Sequence, residues 1–138
     1  MNSTTFTIKG KPIALKRHRP SARGGYYDPS SRDKKQTWLQ IAKYKPKPPL
    51  AGDIRIFMAF YMPRPKHHYR TGKYSHLLKE SCKDIINHSV TPDLDNLIKY
   101  ISDVMNKGFY IDDSQVCELW AEKKYSDPAR TVVIIEEI

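Results

Sequence analysis

The sequence predicts a single small α+β domain with the element order β-α-β-α-β-β and a mixed sheet covered by helices. Three observations carry that prediction. Apolar residues fall in short runs separated by polar stretches. Two segments repeat them at helical spacing, while the others alternate or form compact apolar blocks of strand length. At 138 residues and 39% hydrophobic, the chain holds enough for one core and too little for two ordinary domains, so residues 1–138 are one unit.

The elements follow in order. Thr4–Lys9 alternates as a short strand. Lys16–Tyr27 is basic and glycine-containing, a loop with room for a hairpin. Asp28-Pro29-Ser30-Ser31 is a helix-start signal, and Arg32–Tyr44 carries Trp38, Leu39, Ile41 and Ala42 at helical spacing until Pro46, Pro48 and Pro49 end it. Ile54–Met62 is the most apolar stretch and reads as the central strand. Pro63–Thr91 is a long segment of weak periodicity, and segments of that kind in small domains are usually functional or mobile. Leu94–Asn106 is the second helix, with Leu94, Leu97, Ile98, Ile101, Val104 and Met105 on one face and Asp95, Lys99 and Asn106 on the other. Gly108 is expected to stop it. Gln115–Lys124 and Thr131–Glu137 are the last two strands, joined by a turn around Ser126-Asp127-Pro128.

Composition narrows the function classes. No apolar run approaches the ~20 residues of a membrane span, and the polar start Met1–Thr5 is no signal peptide, so an intracellular, cytoplasmic protein is expected. Cys82 and Cys117 give no disulfide framework. The net charge of +9 is unevenly spread. Residues 1–90 hold 19 Lys and Arg against 5 Asp and Glu, and residues 91–138 hold 5 against 10. A basic body joined to an acidic segment points to a polyanionic partner and to a place where cations collect, although a merely soluble basic protein has the same balance.

The acidic residues stand in two pairs, Asp93 with Asp95 before the second helix and Asp112 with Asp113 after it. Brought together they would repel one another unless a cation neutralised them, which predicts a bound divalent metal. All-oxygen ligands select Mg²⁺ or Mn²⁺ over zinc. Each pair also has a plain structural reading: carboxylates favour a helix N-terminus, and Asp-Asp is a common turn. His67, His68, His76, Cys82 and His88 lack the spacing of a zinc site.

The longer string resolves the choice. Thr91–Val116, TPDLDNLIKYISDVMNKGFYIDDSQV, resembles the signature of the RusA family of crossover junction endodeoxyribonucleases, the Holliday junction resolvases. The resemblance is carried by Pro92-Asp93-Leu94-Asp95-Asn96-Leu97, Lys99, Asp103, Gly108 and Asp112-Asp113-Ser114-Gln115-Val116. It departs at Thr91, where many members have lysine. Upstream, Lys16-Arg17-His18-Arg19-Pro20, Tyr26-Tyr27-Asp28-Pro29 and Met62-Pro63-Arg64-Pro65-Lys66 resemble the family more loosely.

The resemblance implies a RusA-like fold and a homodimer that binds four-way DNA junctions. It implies paired symmetrical nicks with Mg²⁺, or Mn²⁺ in its place, in DNA recombination and repair. It makes Asp93, Asp95 and Asp113 the catalytic, metal-binding carboxylates, with Asp112 in support, and Lys99 the catalytic lysine. Members of the family often occur in phages and prophages. Neither a membrane nor a nucleotide cofactor is expected.

Chemistry gives these roles content. Water activated at the metal would attack phosphorus in line, leaving a 3′-hydroxyl and a 5′-phosphate, while Lys99 neutralises charge on the phosphoryl oxygens. The bland alternative for Lys99 is an i,i+4 surface pair with Asp95. Lys16, Arg17, Arg19 and Arg23, and a second group of Arg64, Lys66, Arg70 and Lys73, are the expected DNA contacts, giving affinity without sequence information. The competing reading is a basic DNA-binding module without catalysis, which leaves carboxylates beside phosphate unexplained.

Overall fold

The computed structural model describes residues 2–138. Its elements are β1 (Ser3–Lys9), β2 (Arg19–Pro20), β3 (Tyr26–Tyr27), α1 (Ser31–Ile41), β4 (Ile54–Met62), α2 (Leu94–Met105), β5 (Val116–Tyr125) and β6 (Arg130–Glu137). The expected order holds, with one small addition: β2 and β3 pair as a two-residue hairpin inside the basic segment. The main sheet has the order β1-β6-β4-β5. It is mixed because β4 runs parallel to β5 and antiparallel to β6. A parallel pair needs a long crossover, and residues 63–115 supply it with α2 inside.

β4 is central because its alternate side chains are buried. Ile54, Ile56, Met58, Phe60 and Met62 pack with Phe6, Val133 and Ile135 against Ile41 of α1 and Leu97, Ile101, Val104 and Met105 of α2. Each such side chain is worth roughly 1.5–3 kcal/mol of burial. The helices cover this one face. On the other, Arg55 spans three strands to reach Glu118 and Glu136, and Trp120 is exposed. Among the described residues no helix is long and apolar enough to cross a membrane.

Several sequence expectations shift in detail. Leu39 is 78% exposed, while Thr37 is buried with its hydroxyl 2.8 Å from the Tyr100 phenol. That bond lets Tyr100 join the core of α2, a polar-tipped residue the apolar pattern passes over. α2 ends at Met105, one residue earlier than expected, so Asn106 leaves helical geometry and turns its side-chain oxygen inward. Lys107 takes the left-handed conformation (φ 70) that a helix stop needs. Gly108 serves a different purpose: a Cβ there would collide with the Trp38 ring, so the glycine admits that ring from α1.

The long segment after β4 is folded onto the sheet. It makes three short 3-10 turns, Lys66–His68, Gly72–Tyr74 and Glu80–Cys82. The rings of His68 and His88 both stand edge-on to Tyr125, at 5.1 and 4.8 Å between centroids. Beyond them the chain runs beside β5, where the Tyr125 amide donates to the Ile86 carbonyl and the His88 amide to that of Lys123.

Candidate active site at the start of the second helix

Asp93 is the N-cap of α2, in extended backbone geometry that opens the helix. An N-cap aspartate normally accepts from the first-turn amides. Here its side chain makes no capping bond, so the carboxylate is free for another partner. Asp95 and Lys99 stand one turn apart, with 3.6 Å between carboxylate and ammonium, and both are well exposed. That is the i,i+4 pair foreseen from the spacing, and in water it contributes little stability.

The basic segment before α1 reaches the same place by defined bonds. The Leu15 amide donates to the Asn96 carbonyl at 3.0 Å, and the Lys16 amide donates to the buried Ser30 hydroxyl at 3.0 Å. Ser30 is the N-cap of α1, and its hydroxyl makes no cap bond of its own. Lys16 is therefore tied between the two helix starts. Leu15, Lys16, Arg17, Asp93, Asp95, Asn96 and Lys99 line one cavity of about 330 Å³. Three cations surround two carboxylates there, a setting that admits a phosphate despite the acids.

Asp112 and Asp113 lie past the other end of α2, whose twelve residues extend roughly 18 Å at about 1.5 Å each. Asp112 caps the short turn Asp113–Gln115: its carboxylate accepts from the Ser114 amide, and the Gln115 side chain accepts from the Asp112 amide. The Ser114 bonds hold the Asp112 carboxyl below its ordinary range. Asp113 accepts from the Tyr110 phenol at 3.1 Å. Burial, then the Asp113 charge, pushes that phenol well up, so it remains a donor. Asp103 is also engaged, 3.0 Å from the Lys34 ammonium that Asp28 holds at 2.6 Å. The Lys34 bond lowers the Asp28 carboxyl; burial opposes the charge on Lys34, but its two carboxylate partners raise its pKa on balance.

Within one chain the four aspartates do not converge. Among the described residues no three acidic, histidine or cysteine side chains form a metal-holding group. The Asp93–Asp95 pair still fits one kind of ion, a Mg²⁺-like cation held by one or two carboxylates that leaves its remaining positions to water and phosphate. It does not fit an ion that needs four protein ligands.

The expected DNA-contact residues divide in use. Lys16 and Arg17 line the Asp93 cavity, while Arg19 and Arg23 sit on the exposed β2–β3 hairpin beside the exposed Tyr26 and Tyr27. Lys66 and Arg70, with His67, Tyr69 and Lys79, line a separate cavity of about 940 Å³. Lys73 lies over the Tyr74 ring. Arg64 is half-buried and engaged by its own chain: it lies over Tyr125, donates to the Cys82 carbonyl at 3.3 Å, and stands 3.3 Å from His68. Sequence spacing also passed over Lys123, whose ammonium sits beneath the approach to Asp93.

The family model described as Endodeoxyribonuclease RusA matches residues 9–136. A Bacillus subtilis (strain 168) protein described as "Uncharacterized protein YqaN" is 31% identical over 143 residues, spanning 100% of this chain and 99% of that protein.

Proposed function

The chain belongs to the RusA family of endodeoxyribonucleases, and from that membership we propose that it is a Mg²⁺-dependent resolvase of four-way DNA junctions, acting as a homodimer in recombination and repair. The observation that carries the reading is the Asp93 carboxylate, placed at a helix start yet withheld from capping, in one cavity with Asp95, Lys99, Lys16 and Arg17.

Asp93 and Asp95 would hold the cation, and Mn²⁺ would serve in place of Mg²⁺. When bound, such an ion polarises a phosphoryl oxygen and makes water a better nucleophile near neutral pH. The chain's own residues do the rest. Lys16, whose amide is held by the Ser30 hydroxyl, and Arg17 beside it draw the phosphodiester into the cavity. Lys99 donates toward the phosphoryl oxygens as negative charge grows on them, where a preorganised cation is worth most. The Asp95–Lys99 pair holds the two side chains next to each other before DNA arrives.

Two nicks on opposed strands of a two-fold junction require two sites, which a two-fold dimer supplies. Asp113, which does not line the cavity of Asp93 and Asp95 in its own chain, would share a metal with them if a second copy of the chain brings it there. Asp112 supports Asp113 by holding its turn.

The test is a labelled synthetic four-way junction and a linear duplex of the same sequence, incubated with Mg²⁺ and read on a denaturing gel. The expected outcome is a pair of symmetrical nicks in the junction and an intact duplex. Binding of the junction with no nick in any strand would make the protein a DNA-binding module.

A further inference from the structure

The segment that delivers Asp93 has an uncommon attachment. Among the described residues, Ser89–Pro92 make no backbone-to-backbone hydrogen bond. The ties on either side are the His88 amide to the Lys123 carbonyl, at 3.1 Å, and the first helical bond of α2, Leu97 to Asp93, at 3.3 Å. Between them the chain is held by one side chain. The Lys123 ammonium donates to the Val90 carbonyl at 2.6 Å and to the Pro92 carbonyl at 2.6 Å.

Lys123 stands on β5, in register beside Phe60 of β4, so its backbone is anchored to the main sheet. An ammonium offers three donors on a compact head, and two of them are used on carbonyls two residues apart. Charge-assisted bonds of this length are stronger than neutral ones. The Pro92 carbonyl belongs to the peptide whose nitrogen is that of Asp93. Fixing it leaves little play in the direction in which the Asp93 side chain leaves the backbone.

We infer that Lys123 is a positioning residue for the proposed cleavage: it fixes the Val90–Pro92 carbonyls and, through them, aims the Asp93 carboxylate into the cavity it shares with Asp95 and Lys99. The inference rests on the reading of Asp93 as a residue that holds the metal. Lys123 itself touches neither DNA nor ion in this account. It acts by keeping Asp93 in place, and misplacement of a reacting group by about 1 Å costs on the order of a hundredfold in rate.

Lys123→Met keeps the aliphatic stem and removes both bonds, and Lys123→Arg keeps a cation able to reach two carbonyls. Both are compared with wild type as the full chain, in four readings: junction affinity without metal, single-turnover cleavage rate, Mg²⁺ concentration at half-maximal rate, and amide exchange over residues 86–95. For Lys123→Met the expected result is unchanged junction affinity, a rate lower by roughly ten- to a hundredfold, and a raised Mg²⁺ requirement. Amide exchange should quicken in 86–95 and nowhere else, and Lys123→Arg should recover most of the rate.

Wild-type rate and Mg²⁺ requirement in Lys123→Met would overturn the inference. So would a rate loss matched by loss of junction affinity and of melting temperature, unrescued by arginine, since that is the behaviour of a lysine needed only for folding. Asp93→Asn, run alongside, separates the two claims. If it cuts normally, the reading of Asp93 fails and the inference falls with it; if it is inert while Lys123→Met is normal, only the inference fails.

Discussion

At the N-terminal end of α2 the Asp93 carboxylate accepts no hydrogen bond from the turn it begins, and that of Asp95 pairs with the exposed Lys99 ammonium; at the far end Asp112 closes a capping box and Asp113 accepts from the phenol of a buried tyrosine. The two ends carry the same pair of side chains two or fewer residues apart, and the same chemistry is available to both. What differs is whether the local structure consumes it. A carboxylate that completes a cap lowers the energy of its own turn, whereas one that leaves a cap unmade forgoes about 1 kcal/mol of helix stability. The role proposed for Asp93 rests on that stabilisation being left unused beside Lys16, Arg17 and Lys99.

The largest expected effect tests that contrast directly. Asp93→Asn and Asp95→Asn should each lower the single-turnover cleavage rate by about a thousandfold, since a catalytic cation supplies several kcal/mol of transition-state stabilisation. Junction affinity should hold or improve, because a negative charge leaves the phosphate's neighbourhood. Wild-type cutting by either variant would remove that residue from the site.

Lys99→Ala comes next, with turnover reduced by roughly a hundredfold if its charge acts on the transition state. Its pair with Asp95 is exposed and worth only about 0.3–0.5 kcal/mol, so the melting temperature should scarcely move. Equal losses in affinity and turnover would make Lys99 an ordinary phosphate ligand.

Reversing Lys16, Arg17 and Arg19 to glutamate should flatten the dependence of junction affinity on salt, by about 0.9 in log–log slope for each phosphate that is no longer neutralised. An unchanged slope would move the DNA surface to the Lys66–Arg70 cavity.

The smallest effect belongs to the structural end. The Ser114 bonds depress the Asp112 carboxyl below the ordinary value of 3.8. A depressed carboxyl adds stability above its unfolded pKa and loses it as pH falls through the folded one. Asp112→Asn should therefore melt below wild type at neutral pH, with the gap closing under strong acid, and should reduce cutting only in part. A gap independent of pH would show that the capping charge contributes nothing.

Much of the frame was legible because it rests on local patterns: the Ile54–Met62 run, the apolar stripe of α2, and the ordered string from Pro92 to Val116. The rest depends on residues far apart in sequence that meet only in the fold. Tyr100 enters the core through Thr37, and Gly108 is small because Trp38 arrives from another helix. Arg64 looks like a phosphate ligand by its neighbours in sequence, yet it is occupied by Tyr125 and the Cys82 carbonyl. Lys123 could not be found by spacing, since its partners are backbone carbonyls 33 and 31 residues upstream. The two acidic pairs follow each other closely in the motif, but α2 runs between them and only the first pair lines the cavity with Lys16, Arg17 and Lys99.

The central claim is that the carboxylates of Asp93 and Asp95 hold the catalytic cation. It is tested most directly by titrating Mn²⁺ into the protein with a bound, non-cleavable four-way junction and following free Mn²⁺ by electron paramagnetic resonance. Wild type should take up Mn²⁺, Asp112→Asn should retain most of that uptake, and Asp93→Asn should lose it while still holding the junction. Wild-type Mn²⁺ uptake by Asp93→Asn, or junction cleavage at full rate in excess EDTA, would contradict the account.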